Sequence, residues 1–105
     1  YSLVERNKDL KRALAYAKKA VKLEPKNPSY LDTIGWAYFK MDDLKRAKKY
    51  IRQSIEIQDD NSVVLEHFGD ILMKSNDSVN ALFYYKKAFE FDNENQELKK
   101  KAFPD

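Results

Sequence analysis

A period of 34 residues constrains this chain more than any other feature. Gly35 and Gly69 are separated by that interval, as are Ala47 and Ala81, and Ala13 lies the same distance before Ala47. Polar columns share the period: Asp9, Asp43 and Asp77, and also Asn27, Asn61 and Asn95. So do Tyr16, Tyr50 and Tyr84, and the apolar sets Val21, Ile55, Phe89 and Leu23, Ile57, Phe91. Self-similarity at a fixed period of roughly 20–50 residues marks a repeat architecture. Each unit then buries its apolar face against the next, and the chain is expected to grow as a stack.

Within the period the apolar spacing is helical. Leu10, Ala13, Leu14, Ala17, Ala20, Val21 and Leu23 recur at three- and four-residue intervals, which places them on one helical face. Residues 1–8 read as the last turns of a first helix, and 10–24 as its antiparallel partner, with Asp9 as N-cap. Pro25 and Pro28 stop that helix and set the next start. Helices are then expected over 29–41 and 44–58, over 63–74 and 78–91, and finally over 96–103. Asp42 and Asp43 break the first of these pairs, and turns are expected at 59–61 and 93–95. Only 2 Gly and 3 Pro occur in 105 residues, so little interrupts the helices. Glycine inside a helix costs about 1 kcal/mol relative to alanine. Gly35 and Gly69 are therefore expected to face Ala47 and Ala81 at a close helix–helix approach.

With these residues in register, the chain resembles a tetratricopeptide repeat protein. One unit carries Leu31, Ile34, Gly35, Tyr38, Ala47, Ile51, Ser54 and Asp59 at the family's motif positions. The next carries Leu65, Phe68, Gly69, Leu72, Ala81, Tyr85, Ala88 and Asn93, and the first keeps Ala13, Ala17, Ala20 and Pro25. Ser54 departs from the small apolar type, and the motif proline survives only at Pro25. The resemblance implies an all-α, right-handed superhelical solenoid of antiparallel helix pairs, about two and a half repeats plus a terminal capping helix. Its divisions are a partial repeat over 1–27, repeats over 28–61 and 62–95, and a terminal helix over 96–105. The stretches SYLDTIGWAYFK and LEHFGDIL resemble the C-terminal repeat block of bacterial proteins of this family, some of them envelope-associated. That leaves cytoplasm and cell envelope both open. Tyr1 falls at the glycine phase, so the chain is expected to be a fragment, and the lack of a secretory signal in it says little about localisation. No apolar run approaches the roughly 20 residues that span a membrane.

The chemistry-bearing residues argue against an enzyme. His67, the only histidine, lies beside Glu66 and three residues before Asp70, and reads as a helix-surface side chain rather than a metal ligand. Glu66 and Asp70 sit one turn apart on one helix, not across a cleft as an acid–base pair requires. The absence of cysteine excludes disulfides and thiolate metal sites. No cofactor is expected.

Binding is the expected function. In the family the first helix of each repeat lines a concave groove, which the resemblance maps onto Ser29, Asp32, Trp36, Phe39 and Lys40, then Val63, Glu66, Asp70, Met73 and Lys74. The candidate groove residues are Asp32, Trp36, Phe39, Lys40, Glu66, Asp70, Met73 and Lys74. Trp36 is read either as an interface anchor or as a packing residue, and the three carboxylates as an acidic floor. The expected partner is a protein or peptide, apolar with basic residues. The clamp of Lys, Asn and Arg with which some family members hold acidic chaperone tails is replaced here by Asp32, Thr33, Glu66 and His67. An acidic tail is accordingly disfavoured. The second helices carry Lys11, Arg12, Lys18, Lys19 and Lys22, then Lys45, Arg46, Lys48, Lys49 and Arg52, then Lys86 and Lys87, while the net charge is only +3. These cations support an alternative function, electrostatic binding of nucleic acid or an anionic surface. No stacking platform or recognised nucleic-acid fold accompanies them, so nucleic acid is not the expected partner.

Overall fold

Polar residues of the 34-residue columns set where each helix begins. In a computed structural model, which describes residues 3–104 and side chains from residue 8 onward, six helices follow one another: α1 (Leu3–Leu23), α2 (Pro28–Lys40), α3 (Leu44–Ile57), α4 (Ser62–Lys74), α5 (Ser78–Phe91) and α6 (Gln96–Ala102). Asn27, Asn61 and Asn95 cap α2, α4 and α6, their side-chain oxygens accepting from the backbone N–H of Tyr30, Val63 and Val64, and Leu98 respectively. Asp43 and Asp77 do the same for α3 and α5, accepting from the N–H of Arg46 and Asn80. Each cap satisfies donors that the first helical turn leaves unpaired.

The turns inside the pairs are also copies. Asp42 and Asn76 both have φ of 63°, the left-handed conformation that Asp and Asn tolerate better than most residues. The following N–H, of Asp43 or Asp77, donates to the carbonyl of Tyr38 or Leu72 at 2.9 Å, closing the end of the preceding helix. Thirty-four residues before Asp42 stands Lys8, which has no such tolerance. The break expected at Asp9 does not form, and α1 runs unbroken from Leu3 through Leu23. The short first helix over 1–8, its antiparallel partner and the Asp9 N-cap are therefore replaced by one helix; Tyr1 and Ser2 lie outside the described residues.

α2 packs on α3 and α4 on α5, while α1, α3 and α5 each pack on the next first helix or its terminal equivalent. The first helices α2 and α4 also touch. Among the described residues there is no strand, and the chain is an all-α solenoid of helix pairs. Its core runs through Leu14, Ala17, Ile34, Ile51, Leu65, Phe68, Ile71, Tyr85 and Leu98, all buried. Gly35 and Gly69 are buried beneath Ile51 and Tyr85, whose side chains fill the space where a Cβ would sit. Ala47 and Ala81 are fully buried in that seam, but Ala13 is exposed because no described helix lies opposite it. Ser54 is buried too, and its hydroxyl donates to the Pro28 carbonyl at 2.7 Å, tying the end of α3 to the start of α2. At the far end Leu98 and Ala102 of α6 are fully buried, whereas Phe103 stays half exposed with its edge on Phe89.

Candidate functional site

The first helices present a face built by the same period. Trp36 and Phe39 lie three residues apart on α2 and stack at 4.6 Å between ring centroids. His67 of α4 lies on Trp36, 3.9 Å away and inclined by 19°. The Lys40 ammonium sits 5.2 Å from the Trp36 ring, and that of Lys74 5.5 Å from Phe39. Cations are drawn to the electron-rich faces of aromatic rings, which fixes these long side chains along the rim. Met73 and Val63 of α4 are also exposed. One continuous strip thus runs from α2 to α4, with two rings and an imidazole stacked along it.

The three carboxylates are not free within this strip. Asp32 accepts from His67 Nδ1 at 2.9 Å. Glu66 and Asp70 both hold the Lys101 ammonium, at 2.8 and 3.1 Å, and the Tyr85 hydroxyl donates to Asp70 at 2.6 Å. Burial pushes the Tyr85 phenol far above its ordinary range, and the negative Asp70 and Glu66 push it further, so it remains a donor. Burial works against the charge on Lys101, but its hydrogen bonds to Glu66 and Asp70 prevail and raise its pKa.

These contacts form a ladder. Asp32 reaches His67 across 35 residues, and Glu66 reaches Lys101 across the same 35. Asp32 and Glu66 share one phase, as do His67 and Lys101. A carboxylate on each first helix therefore holds a nitrogen one repeat and one residue further on. Half-buried pairs of this kind join repeats in register, since each partner would otherwise lose hydration without compensation.

The geometry revises several expectations. The acidic floor does not exist as an open feature, because Asp32, Glu66 and Asp70 each already accept a hydrogen bond from a side chain of another helix. His67 is not a freely solvated side chain; it is partly buried, about 20% exposed, and lies in the strip. Lys101 and Tyr85 were absent from the candidates. A basic residue at the His67 phase of the terminal helix was the available signal for Lys101; nothing in the sequence pointed to the Tyr85 hydroxyl. Of the eight candidates, Trp36, Phe39, Lys40 and Lys74 come together as one cluster. Glu66 and Asp70 form another around Lys101, Asp32 belongs to the histidine contact, and Met73 stands at the edge. Among the described residues no group of three His, Cys, Asp or Glu is placed to hold a metal.

Helix pairs stacked in register with a strip on their first helices define a helical-repeat protein. The tetratricopeptide repeat model matches residues 3–27, 28–61 and 64–95, and the chain belongs to that family. The first TPR of Spaghetti (RPAP3), bound to the HSP90 peptide SRMEEVD, superposes with a TM-score of 0.85 at 15% identity, covering 92% of this chain and 77% of that one. YrrB, a TPR protein with an unusual peptide-binding site, gives 0.80 at 24% identity over 95% of this chain and 52% of its own. A thermophilic TPR protein from Thermus thermophilus gives 0.82 at 21% identity over 93% of this chain and 50% of its own. The chain thus spans about half the length of the last two, and the likenesses are of fold. No curated protein matches the sequence.

The first of these structures overturns the expectation that an acidic tail is disfavoured. The HSP90 peptide it holds carries two glutamates and a C-terminal aspartate, on a fold that superposes on nearly all of this chain. The preference for a basic partner falls with it, because it rested on carboxylates that His67, Lys101 and Tyr85 already occupy.

Proposed function

We propose that the chain is a protein-interaction module that binds a peptide or partner helix along the strip on its first helices, with no catalysis of its own. The observation that carries this reading is the Phe39–Trp36–His67 stack, which crosses from one repeat to the next at the surface. Rigid, half-buried aromatic groups make effective anchors, because binding removes their remaining water at little cost in side-chain entropy. Lys40 and Lys74 flank the stack, and Met73 and Val63 extend its apolar edge. The residues of this site are Asp32, Trp36, Phe39, Lys40, Glu66, Asp70, Met73 and Lys74. Trp36, Phe39, Lys40, Met73 and Lys74 meet the partner, while the carboxylates hold the wall behind them. The division at 1–27, 28–61, 62–95 and 96–105 goes with this reading, and the family matches at 3–27, 28–61 and 64–95 support it.

The test uses Trp36 fluorescence, since it is the single tryptophan. A displayed peptide library and the peptide SRMEEVD serve as probes. Selected ligands should change Trp36 emission, and Phe39→Ala should weaken them by at least ~tenfold, the scale of an interface hot spot. Selected peptides that bind equally well to Phe39→Ala and leave Trp36 emission unchanged would place the binding surface elsewhere.

A further inference from the structure

The opposite side of the solenoid carries a second surface. Second helices turn one face inward through the Ala47 and Ala81 seam, and the other outward. On α3 the outward face carries Lys45, Lys49 and Arg52; at the matching phases α5 carries Val79, Phe83 and Lys86. All six are exposed, Val79 at 78% and Phe83 at 56%. A row of cations on one helix therefore stands beside an aliphatic–aromatic pair on the next.

The charge is available. Lys45, Lys49, Arg52 and Lys86 have no carboxylate within ion-pair distance among the described residues. Only Arg46 of α3 is paired, to Asp43 at 2.6 Å. A depression in this surface is lined by Asp43 and the five cations of α3. Glu56 and Glu90, one turn beyond Arg52 and Lys86, close the patch at one end. The excess is local, since the whole chain is only +3.

We propose that this face docks on an anionic lipid surface, with the α3 cations at the headgroups and Val79 and Phe83 entering the boundary with the acyl chains. Charge complementarity and the neighbouring apolar pair together select this partner. Peripheral attachment needs both terms, because cations alone stay outside the interface and a few apolar side chains alone bind weakly. Nucleic acid fits less well. Binding to single strands uses open aromatic faces on which bases stack. Here Arg46 covers Tyr38, Lys49 covers Tyr50 and Arg52 covers Phe68. An exposed valine has nothing to offer a phosphate backbone. The face lies on second helices, whereas the Trp36 strip lies on first helices.

Co-sedimentation with vesicles of phosphatidylglycerol and phosphatidylcholine, against phosphatidylcholine alone, tests this. Retention on the anionic vesicles should exceed that on neutral ones by at least ~tenfold and should fall with salt, as the Debye length shrinks from about 10 Å at 0.1 M. The Lys45→Glu/Lys49→Glu variant should lose at least ~tenfold in vesicle affinity. Phe83→Ser should lose several-fold, about what one buried aromatic contributes at an interface, with unchanged salt dependence. Both variants alter exposed residues, and circular dichroism confirms their helix content. Equal retention on neutral vesicles, undiminished binding by the charge-reversed variant, or tighter binding to single-stranded oligonucleotide than to anionic vesicles in the same buffer would each overturn the proposal.

Discussion

Replacing Gly69 by alanine should destabilise the fold, although alanine is the better helix former. The new methyl would lie 2.5 Å from Cε1 and 2.6 Å from Cδ1 of Tyr85, and 3.1 Å from Cζ. Two atoms of one rigid ring would have to retreat by about 1 Å to reach ordinary contact, a displacement on the scale that overpacked cores resist. Tyr85 cannot swing away freely. It is buried, and its hydroxyl donates to Asp70 at 2.6 Å. Overpacking costs about 1–3 kcal/mol, and a displaced ring also forfeits part of a charged hydrogen bond that contributes about 1.5–3 kcal/mol. Against this, Gly→Ala in a helix gains about 1 kcal/mol. The net expectation is a loss of about 1–3 kcal/mol, or about 4–8 °C in Tm for each kcal/mol in a domain of this size. A double-mutant cycle isolates the cause. In a Tyr85→Leu background, Gly69→Ala should become neutral or stabilise by up to about 1 kcal/mol, because the ring is gone and the propensity term remains. Urea denaturation of the four proteins supplies the measurement. An equal penalty in both backgrounds, or none in the parent, would refute the close approach of Gly69 and Tyr85.

Removing residues 96–105 takes away the fully buried Leu98 and Ala102 and the Lys101 ammonium that Glu66 and Asp70 share; the shortened chain should melt earlier and self-associate, and an unchanged melting curve with a monomeric elution profile would contradict a capping role for α6. In acid, the N-caps should make a distinct contribution. The Asp43 carboxyl is held below its usual range by the Arg46 backbone N–H and guanidinium, and that of Asp77 by the side-chain amide and backbone N–H of Asn80. Lowered folded values give stability that is present above the unfolded carboxylate pKa of about 3.9 and lost as pH falls through the folded values. Asp43→Asn/Asp77→Asn keeps cap geometry and should flatten the fall of Tm below pH ~4; the same slope as the parent would argue against the shifts.

Much of this molecule was written in the sequence because its information is local and periodic. Asn27, Asn61 and Asn95 cap helices through their own neighbouring N–H groups, and Asp42 and Asn76 adopt the left-handed turn by their own chemistry. Those interactions span only a few residues, so a short stretch determines them, and copying that stretch copies the helix ends. The resemblance to the tetratricopeptide repeat pattern added the pairing of helices and the face that lines the groove. The same locality explains the failure at Lys8: the Asp9 column predicts a break, but the residue before it cannot make the turn, and α1 continues.

What the carboxylates face was decided only by packing. Asp32, Glu66 and Asp70 read as an acidic floor along the first helices, yet each finds its partner on another helix: His67, Lys101 and Tyr85. Their electrostatic meaning depends on distances of a few ångströms between side chains 15 to 35 residues apart. The pattern of a single helix face carries no record of those distances. The status of Trp36 follows the same logic, because its environment is the imidazole of the next repeat as well as its own Phe39. Sequence determines which side chains lie on a helix face and where each helix starts. Whether a charge on that face is free or already hydrogen-bonded depends on the neighbouring helices, and only the stacked structure sets those contacts.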